Sequence, residues 1–214
     1  MPSFFSDRED AGRRLGAAIP GHYRGRKDVV VLGLPRGGVP VADQVAQALD
    51  APLDVLVVRK LGVPGHKEYA MGAIAAGGIT ILDEQVISAM GVTEGAIHRV
   101  MDAEQTELER RQQRYRANRP PLQLTGKTVI LVDDGLATGS TMQAAVAAVR
   151  SSDAAAVVIA VPVSSSEAYE SLRTQVDDIV CLFTPPLFQA VGKWYASFLQ
   201  TSDEEVSEIL ASSR

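Results

Sequence analysis

One cysteine, three histidines and 5% aromatic residues are all that this chain of 214 residues offers to disulfide, metal or broad stacking chemistry. The lone Cys181 excludes an internal disulfide, and its setting in Ile179-Val180-Cys181-Leu182-Phe183 predicts a buried strand thiol. Nowhere do the ~18 apolar residues of a membrane-crossing helix run together. The amino terminus, Met-Pro-Ser-Phe-Phe-Ser-Asp-Arg-Glu-Asp, has no secretory apolar stretch, so a cytoplasmic protein without a membrane partner is expected. Basic residues are in deficit: Lys and Arg number 21 against 26 Asp and Glu, a formal net charge of −5. That balance excludes a general nucleic-acid or anionic-membrane surface, although a small pocket can still be locally basic. Gly-x-Gly-x-x-Gly after a strand, Gly-x-Ser-x-Gly, His-Glu-x-x-His and paired Cys-x-x-Cys are all missing, which removes the common dinucleotide, hydrolase and zinc readings. Gly126-Lys127-Thr128 ends like a phosphate-binding P-loop, but Pro121 stands where that motif needs its first glycine and the triplet precedes a strand.

What is present is concentrated in one stretch. Residues 129–141 read Val-Ile-Leu-Val-Asp-Asp-Gly-Leu-Ala-Thr-Gly-Ser-Thr. The aliphatic run from Thr128 to Val132 lacks alternation, the pattern of a parallel strand covered on both faces. Asp133 and Asp134 then stand at its carboxyl end, where open α/β sheets bind ligands, and adjacent carboxylates suit the vicinal hydroxyls of a ribose. A helix is predicted from about Ser140. The loop before it, with backbone N–H groups at a helix N-terminus, gives Ala137, Thr138, Gly139, Ser140 and Thr141 the character of a phosphate site.

This strand, acid pair and Ala-Thr-Gly-Ser-Thr loop resemble the phosphoribosyl pyrophosphate (PRPP) motif of type I phosphoribosyltransferases. A second strand, Val29 to Leu34, runs into Pro35-Arg36-Gly37-Gly38 ahead of a helix from about Val39. Arg36, Gly37 and Gly38 resemble that family's pyrophosphate loop. Arg59-Lys60-Leu61-Gly62-Val63-Pro64-Gly65-His66-Lys67-Glu68 is basic and broken by Gly and Pro, so it is expected to be a mobile loop. The resemblance implies that such a loop closes over pyrophosphate, with Arg59, Lys60 and Lys67 as its cations.

The resemblance further implies an enzyme that binds PRPP with Mg2+, the metal arriving with the substrate and not in a protein-only site. Asp133, Asp134, Arg36 and Lys60 are the candidate catalytic residues. A nitrogen nucleophile of unknown identity would displace pyrophosphate; the alternative is a PRPP-responsive regulator without turnover. Ala137 replaces an aspartate of the hypoxanthine-guanine enzymes, which argues against a 6-oxopurine acceptor. The whole chain is most similar to the phosphoribosyltransferase-like proteins of bacteria.

The rest of the chain alternates strands and helices, predicting an α/β fold with a Rossmann-like parallel sheet. Ser6-x-x-Glu9 is a capping-box pattern for a helix through Ala18, and a strand is expected over 53–58. Residues 70–74 and 79–82 flank Gly77-Gly78 as a hairpin. One domain over 1–214 is expected, with a helical insertion near 83–121 and a variable hood near 184–202. In the insertion acidic residues precede Arg110, Arg111, Arg114, Arg116 and Arg119, matching the helix dipole; this run is the one basic surface a regulator could use. The stretch 183–195, which runs into the hood, holds Phe183, Phe188, Trp194 and Tyr195, with Phe188 and Trp194 as candidates to stack on a planar acceptor. Homo-oligomerisation is left open.

Overall fold

The computed structural model describes residues 4–116 and 119–213, with the side chains of Lys67 and Glu68 outside the description. Five strands form a parallel sheet in the order β2-β1-β6-β7-β8. They are β1 (Val29–Gly33), β2 (Leu53–Val55), β6 (Thr128–Val132), β7 (Ala156–Val163) and β8 (Asp178–Phe183). Every residue of β6 is buried, as its unbroken aliphatic sequence requires of a central strand. Register places Val29 opposite Thr128 and Gly33 opposite Val132, so β1 and β6 end side by side.

Alternate residues of each strand face opposite layers. Val29 and Val31 of β1, Ile130 and Val132 of β6, and Val158 and Ala160 of β7 belong to one core. Against them pack Leu15 of α1 (Arg8–Ala18), Val41, Val45 and Leu49 of α2 (Gly38–Leu49), and Val206 and Leu210 of α7 (Asp203–Ser212). Leu32, Val129, Leu131, Val157, Ile159 and Val161 face the other way. Met142, Ala145 and Val149 of α5 (Ser140–Arg150) and Ala168 and Leu172 of α6 (Ser166–Arg173) cover that side.

The remaining strands, β3 (Val58–Val63), β4 (His66–Ala75) and β5 (Ile79–Leu82), make a separate antiparallel sheet. Two expectations change here. The strand expected over 53–58 is divided: β2 stops at Val55 as the edge of the parallel sheet, and Val58 begins β3 in the other sheet. The segment 59–68, expected as a loop from its Gly and Pro, is a β-hairpin in which Arg59 pairs with Ile74 and Lys60 with Ala73. Cross-strand pairing prevails because Gly and Pro fall where they do least harm. Pro64 and Gly65 occupy the turn, with Gly65 at φ +81°, and a register shift absorbs Gly62. The helix α1 is capped one residue later than its Ser-x-x-Glu pattern suggests, with the Asp7 side chain accepting from the Asp10 N–H.

Between β5 and β6 lie α3 (Glu84–Ala89) and the long α4 (Glu94–Arg116). Leu108 and Tyr115 fasten α4 to the main core. Arg116 at its end has a side chain only 5% exposed, and it donates to both oxygens of Asp54 at 2.9 and 3.0 Å and to the Pro120 carbonyl at 2.6 Å. Removing one partner of such a buried pair strands the other charge, which costs about 3–5 kcal/mol when nothing compensates. Arg119 lies 3.6 Å from Asp54 and offsets part of that. Arg116→Met is therefore expected to lower unfolding stability by about 2 kcal/mol in urea titration, and the double variant Arg116→Met/Asp54→Leu by less.

Candidate functional site

The two phosphate-type loops meet at the carboxyl ends of β1 and β6. The Leu34 N–H donates to the Val132 carbonyl at 2.9 Å, carrying the strand pairing to the start of both loops. The chain then passes through a cis Pro35–Arg36 peptide into Gly37 and Gly38 at the start of α2. No side chain fits at either glycine. A Cβ on Gly37 would fall 2.0 Å from Asp134 Oδ2, and one on Gly38 would fall 2.7 Å from the Val132 carbonyl oxygen. The pyrophosphate-type loop is thus in direct backbone contact with the acid pair.

Asp133 accepts the Asp134 N–H on Oδ1 at 2.8 Å. Burial drives its pKa well above the usual carboxylate range, and the neighbouring Asp134 charge pushes it the same way. Asp134 is also raised by burial, but Arg8 opposes the shift: its Nε and a terminal nitrogen both stand 2.9 Å from Asp134 Oδ2. Arg8 comes from the first turn of α1. It is held in turn by the Leu199 carbonyl at 2.6 Å and by the Phe198 ring, whose centre lies 4.0 Å from the guanidinium carbon. Tyr195 donates its hydroxyl to the Asp134 carbonyl at 2.6 Å, and burial with the Asp134 charge raises its pKa. A close pair of poorly hydrated carboxylates can accept hydroxyl hydrogen bonds or face a cation.

Gly139 precedes α5 in the left-handed region, φ +74°, and its turn brings Thr138 Oγ1 within 3.2 Å of Ser140 Oγ. The N–H groups of Thr138, Gly139 and Thr141 have no acceptor among the described residues. Together with the α5 dipole they form an anion cradle. Ser165 braces it from below by donating to the Ala137 carbonyl at 2.7 Å. Ala137 to Thr141, the acid pair and the Arg36-Gly37-Gly38 loop are therefore brought to one end of the sheet.

The other candidates are placed more variously. Arg36 is 3.8 Å from Asp203 Oδ1 at the start of α7. Asp203 also accepts from the Tyr115 hydroxyl and lies 3.7 Å from Arg114 and 3.9 Å from Arg110, and the Tyr115 bond leads the causes that lower its pKa. Arg59 donates to Glu104 of α4 at 2.7 Å. Lys67 is in β4, and its side chain lies outside the described residues. Trp194 packs on Phe4 with ring centres 5.3 Å apart, and Phe188 is half-buried. The hood reaches the acid pair instead through Tyr195 and through Val191, which touches Gly135.

A cavity of about 620 Å³ adjoins both loops. Pro35 and Thr141 border it, Arg59 and Lys60 line it from β3, and Arg99, Glu104 and Arg111 line it from α4. A cavity of about 640 Å³ opens at the opposite end of the sheet, lined by Asp43, Asp50 and Ser213 among others. Its carboxylates repel phosphate, and it holds none of the residues above.

Residues 6–188 match the family model for the phosphoribosyl transferase domain. Two Mycobacterium tuberculosis proteins, from strains CDC 1551 / Oshkosh and H37Rv, are each 47% identical to the chain over 206 residues and carry the name "putative phosphoribosyl transferase". These matches cover 96% of the chain but 46% of each relative, so the chain spans about half the length of the curated relatives it matches. The crystal structure of the protein TT1426 from Thermus thermophilus superposes with a TM-score of 0.87 at 42% identity, over 96% of this chain and 97% of that one. A hypoxanthine-guanine phosphoribosyltransferase from Bacillus anthracis shares the fold at 12% identity and a TM-score of 0.52, over 87% of this chain and 85% of that one.

Two consequences can be measured. A carboxyl whose folded pKa is raised contributes stability that is whole below the unfolded pKa and is lost as pH rises through the folded value. Asp133→Asn cannot ionise, so it is expected to melt at a higher temperature than the parent near pH 7, with the gap closing near pH 4. Gly37→Ala is expected to push the loop off Asp134 and to lower ligand affinity by at least tenfold, about 1.4 kcal/mol, while circular dichroism remains native.

Proposed function

Because the chain belongs to the phosphoribosyl transferase family, we propose that it binds PRPP with Mg2+ and transfers the phosphoribosyl group to a nitrogen nucleophile, releasing pyrophosphate. The observation that carries this reading is the contact of Gly37 with Asp134 Oδ2, which joins the pyrophosphate-type loop to the acid pair beside an open anion cradle. In this reading the cradle at Thr138 to Thr141 holds the 5-phosphate through backbone N–H groups and hydroxyls. Asp133 and Asp134 accept the two ribose hydroxyls. The N–H groups and guanidinium around Arg36 face the pyrophosphate, with Lys60 across the cavity.

The acid pair also fits a divalent cation. Among the described residues the two part-buried carboxylates have Arg8 as their one ion-pair partner, and no group of three His, Cys, Asp or Glu gathers that could hold a metal alone. Mg2+ carried by PRPP would take phosphate and water oxygens as its other ligands and neutralise charge on the departing pyrophosphate. The protein's own contribution is positioning and electrostatics: it fixes the ribose from the sheet end and offers cations where charge develops.

The competing regulator reading needs a free basic face. The Arg110 to Arg119 run does not supply one, since Arg110 and Arg111 are bonded to Glu107, Arg114 to Glu204, Arg116 to Asp54 and Arg119 to the carbonyls of Leu53 and Leu210. Glu107 is held down to about pKa 2 by the two guanidinium groups it accepts from. The run stabilises the docking of α4.

Calorimetric titration with PRPP and Mg2+ tests the proposal, together with pyrophosphate release over a panel of bases. Saturable PRPP binding is expected, with Asp134→Asn weakening it by at least tenfold, about 1.4 kcal/mol. A folded Asp134→Asn protein of unchanged affinity would move the ribose elsewhere.

A further inference from the structure

The cavity beside the two loops has a charge pattern that the sugar-phosphate half of the site does not use. Among the described residues four cations line it, Arg59, Lys60, Arg99 and Arg111, against the single carboxylate of Glu104. Arg59 is matched to Glu104 and Arg111 to Glu107. Arg99 is exposed, borders this space and has no ion-pair partner among the described residues. A concave wall with an excess of guanidinium groups is built for planar anionic groups, carboxylate or phosphate, which Arg holds through paired donors.

The position of this wall matters as much as its charge. It comes from α4, whose residues Ala96, Arg99, Val100, Ala103 and Arg111 recur at helical spacing along the cavity. Ala96, Val100 and Ala103 make the amino-terminal part of the wall apolar around Arg99, and Arg111 stands about two turns beyond Ala103. Meanwhile the aromatic hood is occupied by packing: Phe4 sits 4.2 Å from Phe183 and 5.3 Å from Trp194, and Phe5 is 5.3 Å from Tyr195, centre to centre. No hood residue lines the cavity.

We propose that the cavity between α4 and the β3–β4 hairpin is the acceptor subsite, and that its acceptor is a nitrogen base bearing a carboxylate or phosphate held by Arg99. The inference rests on the PRPP reading above, because the cavity meets the sugar-phosphate site at Pro35 and Thr141. The base lies against Val100 and Ala103 with its anionic group toward Arg99, leaving its nitrogen directed to the ribose.

The full chain is first saturated with PRPP and Mg2+ in the calorimeter, then titrated with orotate and with uracil, the same ring with and without a carboxylate. Orotate is expected to bind at least tenfold more tightly than uracil. Arg99→Glu is expected to erase that preference, Arg99→Lys to retain part of it, and both to change PRPP affinity by less than twofold. Arg99 is an exposed helix residue, so both variants should keep the parent's unfolding midpoint. Absence of orotate binding to the PRPP-loaded protein, or equal binding of uracil, overturns the subsite alone. An equal loss of PRPP and orotate affinity in Arg99→Glu also overturns it and gives the cavity to pyrophosphate. Failure of PRPP itself to bind overturns the underlying reading instead.

Discussion

The partial burial of two adjacent carboxylates at the end of the central strand is the constraint around which the rest is arranged. Asp133 and Asp134 sit where water is scarce, and desolvating a carboxylate is costly unless counter-charge or hydrogen bonds replace the water. Among the described residues one counter-ion meets them, Arg8, from a helix 126 positions away in sequence. Arg8 then needs its own support, and Phe198 and the Leu199 carbonyl give it. Tyr195 closes the arrangement by bonding the Asp134 carbonyl. The amino-terminal segment and the region after β8 are thus folded together over the acid pair, and the aromatic cluster of Phe4, Phe5, Phe183, Trp194 and Tyr195 holds them there. Asp133 feels Arg8 only at a distance and has no ion-pair partner among the described residues. That residual cost is what a site accepts when its ligand brings the missing positive charge or hydroxyl donors.

The long helix α4 solves a different electrostatic problem. Its carboxyl-terminal half, with the residues just after it, carries five arginines, which in isolation would repel one another. Glu107, Asp54, Glu204 and Asp203 neutralise them, and the last two belong to α7, so the final helix and the insertion are locked by the same charges. Asp203 extends that lock to the loop of Arg36. Exposed pairs of this kind contribute little each, and the group acts through its buried members, Arg116 with Asp54 and Tyr115 with Asp203.

The parts of this molecule that were legible in its sequence are those built from local pattern. The central strand, the acid pair, the Gly139 turn and the Arg36-Gly37-Gly38 loop are contiguous segments whose conformation follows from burial on both faces or from a helix start, and each lies where expected. The β3–β4 hairpin was hidden because its stability comes from cross-strand pairing, while the residues of 59–68 carry breaker signals. Arg8 was hidden for a stronger reason: nothing near it in sequence distinguishes it from Arg13 or Arg14 on the same helix. Its role appears only when α1 is packed on α2 and its first turn falls beside Asp134. The same holds for Arg99, which in sequence is one more charge on a polar helix and in space borders a cavity.

The site divides by the kind of structure that builds it. The half of the site proposed for the sugar phosphate is built largely from backbone: strand ends, glycines without room for a Cβ and N–H groups without an acceptor among the described residues at a helix start. Such groups carry no long side chain that must be ordered on binding, which suits a ligand of fixed shape. Side chains of α4 and β3 build the adjoining cavity, and their identity can change without disturbing the sheet. On the proposed reading, a phosphoribosyl transferase fold with its acceptor wall on an insertion can change acceptor by changing one helix face, while the strand-end geometry proposed to hold the ribose stays as it is.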